Sequence, residues 1–125
     1  MRATLRLRAE LAALPALSQW VDAQVVGLDA HHAYALRLCV EELVGNVLLH
    51  GAAGALQVIV DGPPLRLVVE DDGPAFDPTV ASRPILPTSL DEARPGGLGL
   101  LLTRRYSRGM AYARAGGWNR LELTF

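Results

Sequence analysis

Lysine is absent from this chain of 125 residues: all twelve basic residues are arginines, scattered without a run and balanced by thirteen acidic residues to a net charge of −1. That balance leaves a dedicated nucleic-acid surface unsupported. The missing lysine also excludes a Walker phosphate loop, which needs one directly after its glycines, and otherwise points only to a high-GC genome. Cysteine is nearly absent. The single Cys39 permits neither a disulfide nor a zinc framework, and its place on an apolar helical face reads as a small buried hydrophobe. No apolar run reaches membrane-spanning length, and Met1 to Arg8 alternates too quickly for a signal-peptide core. The expected location is the cytoplasm. The length fits one domain, residues 1–125, with a single core of helices on a sheet; there is no internal repeat.

Alternation of leucine and arginine predicts an opening strand from Thr4 to Ala9. A first helix is expected from Pro15, carrying Leu17, Trp20, Val21 and Val25 inward until Gly27 stops it. Asp29 is placed to cap a second helix running to His50, with Gly51 beyond its end; His31 and His32 are expected to be exposed, and His50 to interact with the helix dipole. Strands Leu56–Val60 and Leu65–Glu70 flank Asp61-Gly62-Pro63-Pro64, turn chemistry that predicts an antiparallel hairpin. From Phe76 to Pro95 the chain has four prolines and no sustained period, which suggests a lid. A third helix, Leu100 to about Ser107, and a closing hairpin of Ala111–Arg114 and Arg120–Phe125 complete the chain.

Three segments carry chemistry. In the second helix, Glu42 and Asn46 lie four residues and about 40° apart at the edge of the stripe formed by Leu36, Cys39, Val40, Leu43 and Val47. A carboxylate beside a carboxamide suits a general base and a ligand for Mg²⁺; polar residues bordering a buried stripe are the ordinary alternative. Glu41, on the other side, is expected to pair with Arg37 across one turn. At the end of the third strand, Asp71-Asp72-Gly73 is either a simple turn or a site where Asp71 accepts a hydrogen bond from the amino group of adenine, with Gly73 allowing close approach. Gly97-Leu98-Gly99 ahead of Leu100 is either a flexible connector or a phosphate cradle of free helical amides.

In this order the three segments resemble a known family. Glu42-Leu43-Val44-Gly45-Asn46 with His50-Gly51 is similar to the N box, Asp71-Asp72-Gly73 to the first glycine box and Gly97-Leu98-Gly99 to the second glycine box of the histidine-kinase-like (GHKL) ATPases. The resemblance is closest to the anti-sigma-factor serine/threonine kinase branch and extends to the ending Gly117 to Thr124. It implies a two-layer α/β sandwich of the Bergerat type, a mixed, mostly antiparallel sheet with helices on one face. ATP would lie between the second helix, the lid and the third helix. Asn46 would coordinate Mg²⁺ and Glu42 would deprotonate a serine or threonine hydroxyl of a protein substrate. Asp71 would select adenine, Gly73, Ala75, Gly97, Leu98, Gly99 and Leu100 would contribute to the nucleotide site, and Thr124 would touch the base through water. The implied partners are a STAS-type anti-anti-sigma protein as substrate and a sigma factor held inactive, with a homodimer common among relatives.

Two departures stand out. Ala75 occupies a position where many relatives have glycine, and Arg94 stands near, but not securely in register with, a lid arginine. A non-catalytic ATP-binding module acting by contact remains an alternative to a kinase, as does the ATP-binding half of a split histidine kinase. The last lacks a dimerisation helix with a phosphoacceptor histidine, since His31, His32 and His50 all fall inside the domain.

Overall fold

A computed structural model describes residues 2–50, 52–79 and 97–125, excluding the side chains of His50 and of residues 97–100. The elements are β1 (Arg2–Arg8), a short 3-10 turn, α1 (Leu14–Gln24), α2 (Ala30–His50), β2 (Ala55–Asp61), β3 (Arg66–Asp71), α3 (Gly97–Tyr106), β4 (Gly109–Ala115) and β5 (Trp118–Thr124). The strands form one sheet in the order β1-β2-β3-β5-β4. Every pair among the described strands is antiparallel, in keeping with the mostly antiparallel sheet expected from the sequence. Two tight hairpins supply two of these pairs. In one, Gly62 has φ +153°, and a Cβ there would lie 2.9 Å from the Pro64 carbonyl oxygen. In the other, Gly116 and Gly117 have φ of +59° and +81°, the geometry that two-residue hairpin turns reserve for such residues.

The inner face of the sheet is filled by alternate residues such as Val58, Val60, Leu67, Val69, Leu121 and Leu123, packed against Leu17 and Val21 of α1 and Leu36, Cys39, Val40, Leu43 and Val44 of α2. Trp20 and Val25 are only partly buried against this core rather than inside it. Pro at the start of α1 and Gly27 at φ +86° bound that helix as the sequence predicts. Asp29 caps α2, its Oδ1 accepting from the His32 amide at 2.9 Å while Oδ2 meets the His32 ring, which is therefore half-buried and not free in solvent. These contacts hold the Asp29 carboxyl below its ordinary value, the His32 backbone amide foremost. Arg37 pairs with Asp22 of α1 at 2.5 Å, in place of the expected Glu41 partner; the neighbouring helix offers a carboxylate across the groove, and Glu41 faces solvent.

On the outer face, long side chains tie the strands together: Arg6 to Gln57, Gln57 to Glu70, Arg120 to Glu70 and Glu122, and Arg66 to Glu122 and Asp61. Ile59 and Val68 face each other across β2 and β3 on this side, at 2% and 1% exposure. No helix among the described residues is long and apolar enough to cross a membrane.

Candidate nucleotide site

α2 and α3 run antiparallel, and their contacts fix the level at which each turn meets. Tyr106 packs on His31 and Tyr34 near the start of α2, with ring centroids 6.1 Å and 5.4 Å away. One turn back along α3, the fully buried Thr103 hydrogen-bonds Cys39. Continuing that ladder by equal rises brings the first turn of α3 level with Glu42 to Asn46. The helix begins at Gly97, three residues before the predicted Leu100, because the two glycines join the helical turn instead of preceding it. The amides of Gly97, Leu98 and Gly99 are thus among those that lack an intrahelical acceptor.

Glu42 and Asn46 are both half-buried on this wall, one turn apart. Neither makes a hydrogen bond or ion pair with a described residue. Glu42 nevertheless makes itself felt: burial first, and then its charge, push the Cys39 thiol up to about 11, while the bond from Thr103 opposes the shift. Cys39 is a buried, inert core residue, as read from the sequence.

The end of β3 is built differently. Asp71, 9% exposed, accepts the Gly73 amide at 2.9 Å and the Asn119 side-chain amide at 3.1 Å, both on Oδ1. Oδ2 has no partner among the described residues. Asp72 points the other way and clamps the start of β2, its Oδ1 taking the Gly54 and Ala55 amides at 2.8 and 2.9 Å. These two backbone bonds lower its pKa. The tandem acids therefore have separate partners, Asp71 bonding Gly73 and Asn119 and Asp72 closing the sheet. Beyond Gly73 the chain exposes Ala75 and Phe76, the latter 59% exposed. It then turns on Asp77, which accepts from Thr79, and is held by Arg104 of α3 at the Pro78 carbonyl, 2.7 Å away. The rest of the expected lid, including Arg94, and Gly51 lie outside the described residues.

Thr124 does not join this group. It faces Arg66 and Gly109 at the opposite end of the sheet from Asp71, on the outer face, and is exposed. The separation along β3 is five residues, roughly 17 Å. The position facing Asp71 across β5 is Asn119, a residue the sequence reading passed over. Its signal was present: in Trp118 to Leu123 the inward positions are 119, 121 and 123, and only the first is polar.

The comparisons decide the family. The family model of the histidine kinase-like ATPase domain matches residues 6–125. This chain belongs to that family. It is 39% identical over 102 residues to the serine/threonine-protein kinase BtrW of Bordetella bronchiseptica, a match covering 77% of this chain and 72% of BtrW. In fold it is similar to a crystal structure of the RsbU and RsbW domains of Rv1364c from Mycobacterium tuberculosis, at a TM-score of 0.68 and 15% identity, covering 99% of this chain. The chain spans about a third of that protein's length, 32%. Membership in an ATPase-domain family implies ATP binding, and the antiparallel sheet with its helices matches the fold of that RsbW-containing structure.

Proposed function

We propose that the 125 residues form one ATP-dependent serine/threonine kinase unit that phosphorylates a STAS-type anti-anti-sigma protein and sequesters a sigma factor. The observation that carries this reading is the pair Glu42 and Asn46. Two polar side chains lie half-buried at the level where α3 opens its free amides, with no partner of their own in the described protein. Half-buried polar groups of this kind keep their hydration and stay available to a metal, a phosphate or an incoming hydroxyl.

The donor set fits Mg²⁺. No cluster of three or more His, Cys, Asp or Glu able to hold a metal occurs among the described residues, and a magnesium shared with phosphates needs only one or two hard oxygen ligands from the protein. Asn46 would supply one through its carboxamide oxygen. When bound, the ion neutralises charge on the transferring phosphoryl group. Glu42 accepts the proton of the substrate hydroxyl as its oxygen attacks the γ-phosphorus and the bond to the β-phosphate oxygen breaks. The amides of Gly97, Leu98 and Gly99 cradle the phosphates, with Leu100 next in the same turn. Asp71 accepts the adenine amino group, with Gly73 and Ala75 lining the approach. Guanine would present a carbonyl oxygen there and be repelled.

Similarity to the serine/threonine-protein kinase BtrW supports the kinase part of this reading, and the anti-sigma part rests on the resemblance of the three boxes to the anti-sigma-factor kinase branch. The test is incubation with radiolabelled ATP and STAS-domain proteins from the same genome. Label on a serine or threonine of a STAS protein is expected. ATP and sigma-factor binding without transfer to any STAS protein would make the domain a contact-only regulator.

A further inference from the structure

Across one end of the inner sheet face, Asp71 of β3, Asn119 of β5 and Arg114 of β4 stand in a single row, since Asn119 is the register partner of both others. Asn119 is 6% exposed, so water cannot stand in for its partners. Its amide nitrogen donates toward Asp71 Oδ1 at 3.1 Å, the Pro74 carbonyl at 2.8 Å and the Gly73 carbonyl at 3.4 Å. Its oxygen accepts from the Tyr112 hydroxyl at 2.5 Å, Arg114 Nη1 at 3.0 Å and the Phe76 amide at 3.3 Å. Arg114 Nη1 also reaches the Gly73 carbonyl at 3.0 Å. All partners on one side are acceptors and all on the other are donors. The amide therefore has one orientation, because flipping it would set oxygen against three oxygens and N–H against the obligate donors Arg114 Nη1 and the Phe76 amide.

We propose that Asn119 is a positioning residue for base selection: held by Tyr112 and Arg114, it fixes the Asp71 carboxylate and the Gly73–Phe76 turn as one rigid acceptor for an amino-bearing purine. This rests on the reading of Asp71 as the group that meets the base. The terminal torsion of an aspartate is broad and roughly two-fold, so by itself the carboxylate presents no fixed lone pair. Here Oδ1 is occupied by the Gly73 and Asn119 N–H groups, and Oδ2 remains for the ligand. A carboxylate free to turn away from a purine carbonyl discriminates little; one held in place must meet it, and the wrong base leaves buried polar groups unpaired. The same amide binds Gly73, Pro74 and Phe76, which joins the orientation of the acid to the position of the backbone beside it. Tyr112 and Arg114 act on the acceptor side, and their donation polarises the amide toward Asp71.

The experiment is calorimetric titration of the full chain with ATP and with GTP, each at fixed Mg²⁺, for wild type, Asn119→Leu, Asn119→Asp, Arg114→Met and Tyr112→Phe. The readout is the ratio of ATP to GTP affinity, which a merely structural staple would not move. Asn119→Leu removes both halves of the amide and should lower ATP affinity roughly 10–100-fold with little effect on GTP. Asn119→Asp keeps the shape but sets a second carboxylate against Asp71, and should lose at least as much. Arg114→Met and Tyr112→Phe leave the bond to Asp71 in place and should narrow the ratio by about two- to fivefold. A folded Asn119→Leu with the wild-type ratio overturns the proposal. If that variant does not fold, wild-type ratios in both Arg114→Met and Tyr112→Phe overturn it. Asp71→Asn separates the layers. If it lowers the ratio while the Asn119 and Arg114 variants do not, Asp71 reads the base without this support; if it too leaves the ratio unchanged, the base-reading role of Asp71 fails and the proposal with it.

Discussion

The two polar clusters of the candidate site are built in opposite ways. At the end of β3, Asp71 and Asn119 are buried and bonded by their own chain, with only one carboxylate oxygen left over. On α2, Glu42 and Asn46 are half-exposed and bonded to nothing described. Recognition of a flat, rigid base gains from acceptors fixed before the ligand arrives, because no ordering cost remains to be met on binding. Phosphoryl transfer uses groups that gain partners only in the presence of metal, phosphate and the incoming hydroxyl. In the reading proposed above, the sheet end selects and the helix reacts.

Breaking the reactive half should give the largest effect. Glu42→Gln keeps size and should slow phosphoryl transfer to the STAS partner by about 10²–10⁴-fold, the usual contribution of a positioned base; transfer rates followed with radiolabelled ATP check it. Asn46→Ala should weaken Mg·ATP binding itself, roughly 10–100-fold, the scale found for perturbing metal sites, and calorimetry with and without Mg²⁺ shows whether the loss is metal-dependent. Asp71→Asn removes a charge-assisted acceptor from the selecting half and should cost ATP affinity about 1.5–3 kcal/mol, read in the same titrations.

The smallest effect sharpens the contrast between the tandem acids. Asp72 has its carboxyl below the ordinary value of 3.8 because it accepts the Ala55 and Gly54 amides. A depressed folded-state value means the stabilisation is complete above the unfolded value and is lost as pH falls through the folded one. Thermal melts should show wild type losing more stability than Asp72→Asn when pH is lowered from 5 to below 3.8, with ATP affinity at neutral pH nearly equal in the two. Equal losses on acidification would remove Asp72 from the sheet closure.

Much of this was readable from residue order. Leucine–arginine alternation, Asp29, Gly27 and the two turn sequences placed five strands and three helices, because each of those signals acts within a few residues. Glu42, Asn46, Asp71 and the glycines stood out for the same reason: polar or glycine positions interrupt local apolar patterns. What depended on strand register was hidden. Thr124 and Asn119 both lie on β5, and only pairing with β3 reveals that Asn119 faces Asp71 while Thr124 faces Arg66. Local spacing also suggested Arg37 with Glu41, whereas the partner, Asp22, comes from another helix. The start of α3 was misplaced because glycine is read as a breaker, yet two glycines in a first turn need no side chain to hold it.

The division between selection and reaction is tested most directly by measuring two quantities on two variants: the dissociation constant for Mg·ATP, and the single-turnover transfer rate to the STAS protein with nucleotide saturating. The account predicts that Glu42→Gln keeps the wild-type dissociation constant and loses the rate, while Asp71→Asn loses affinity and, once saturated, keeps the rate. A Glu42→Gln variant with weakened binding and an undiminished rate, or an Asp71→Asn variant that binds normally, would contradict it.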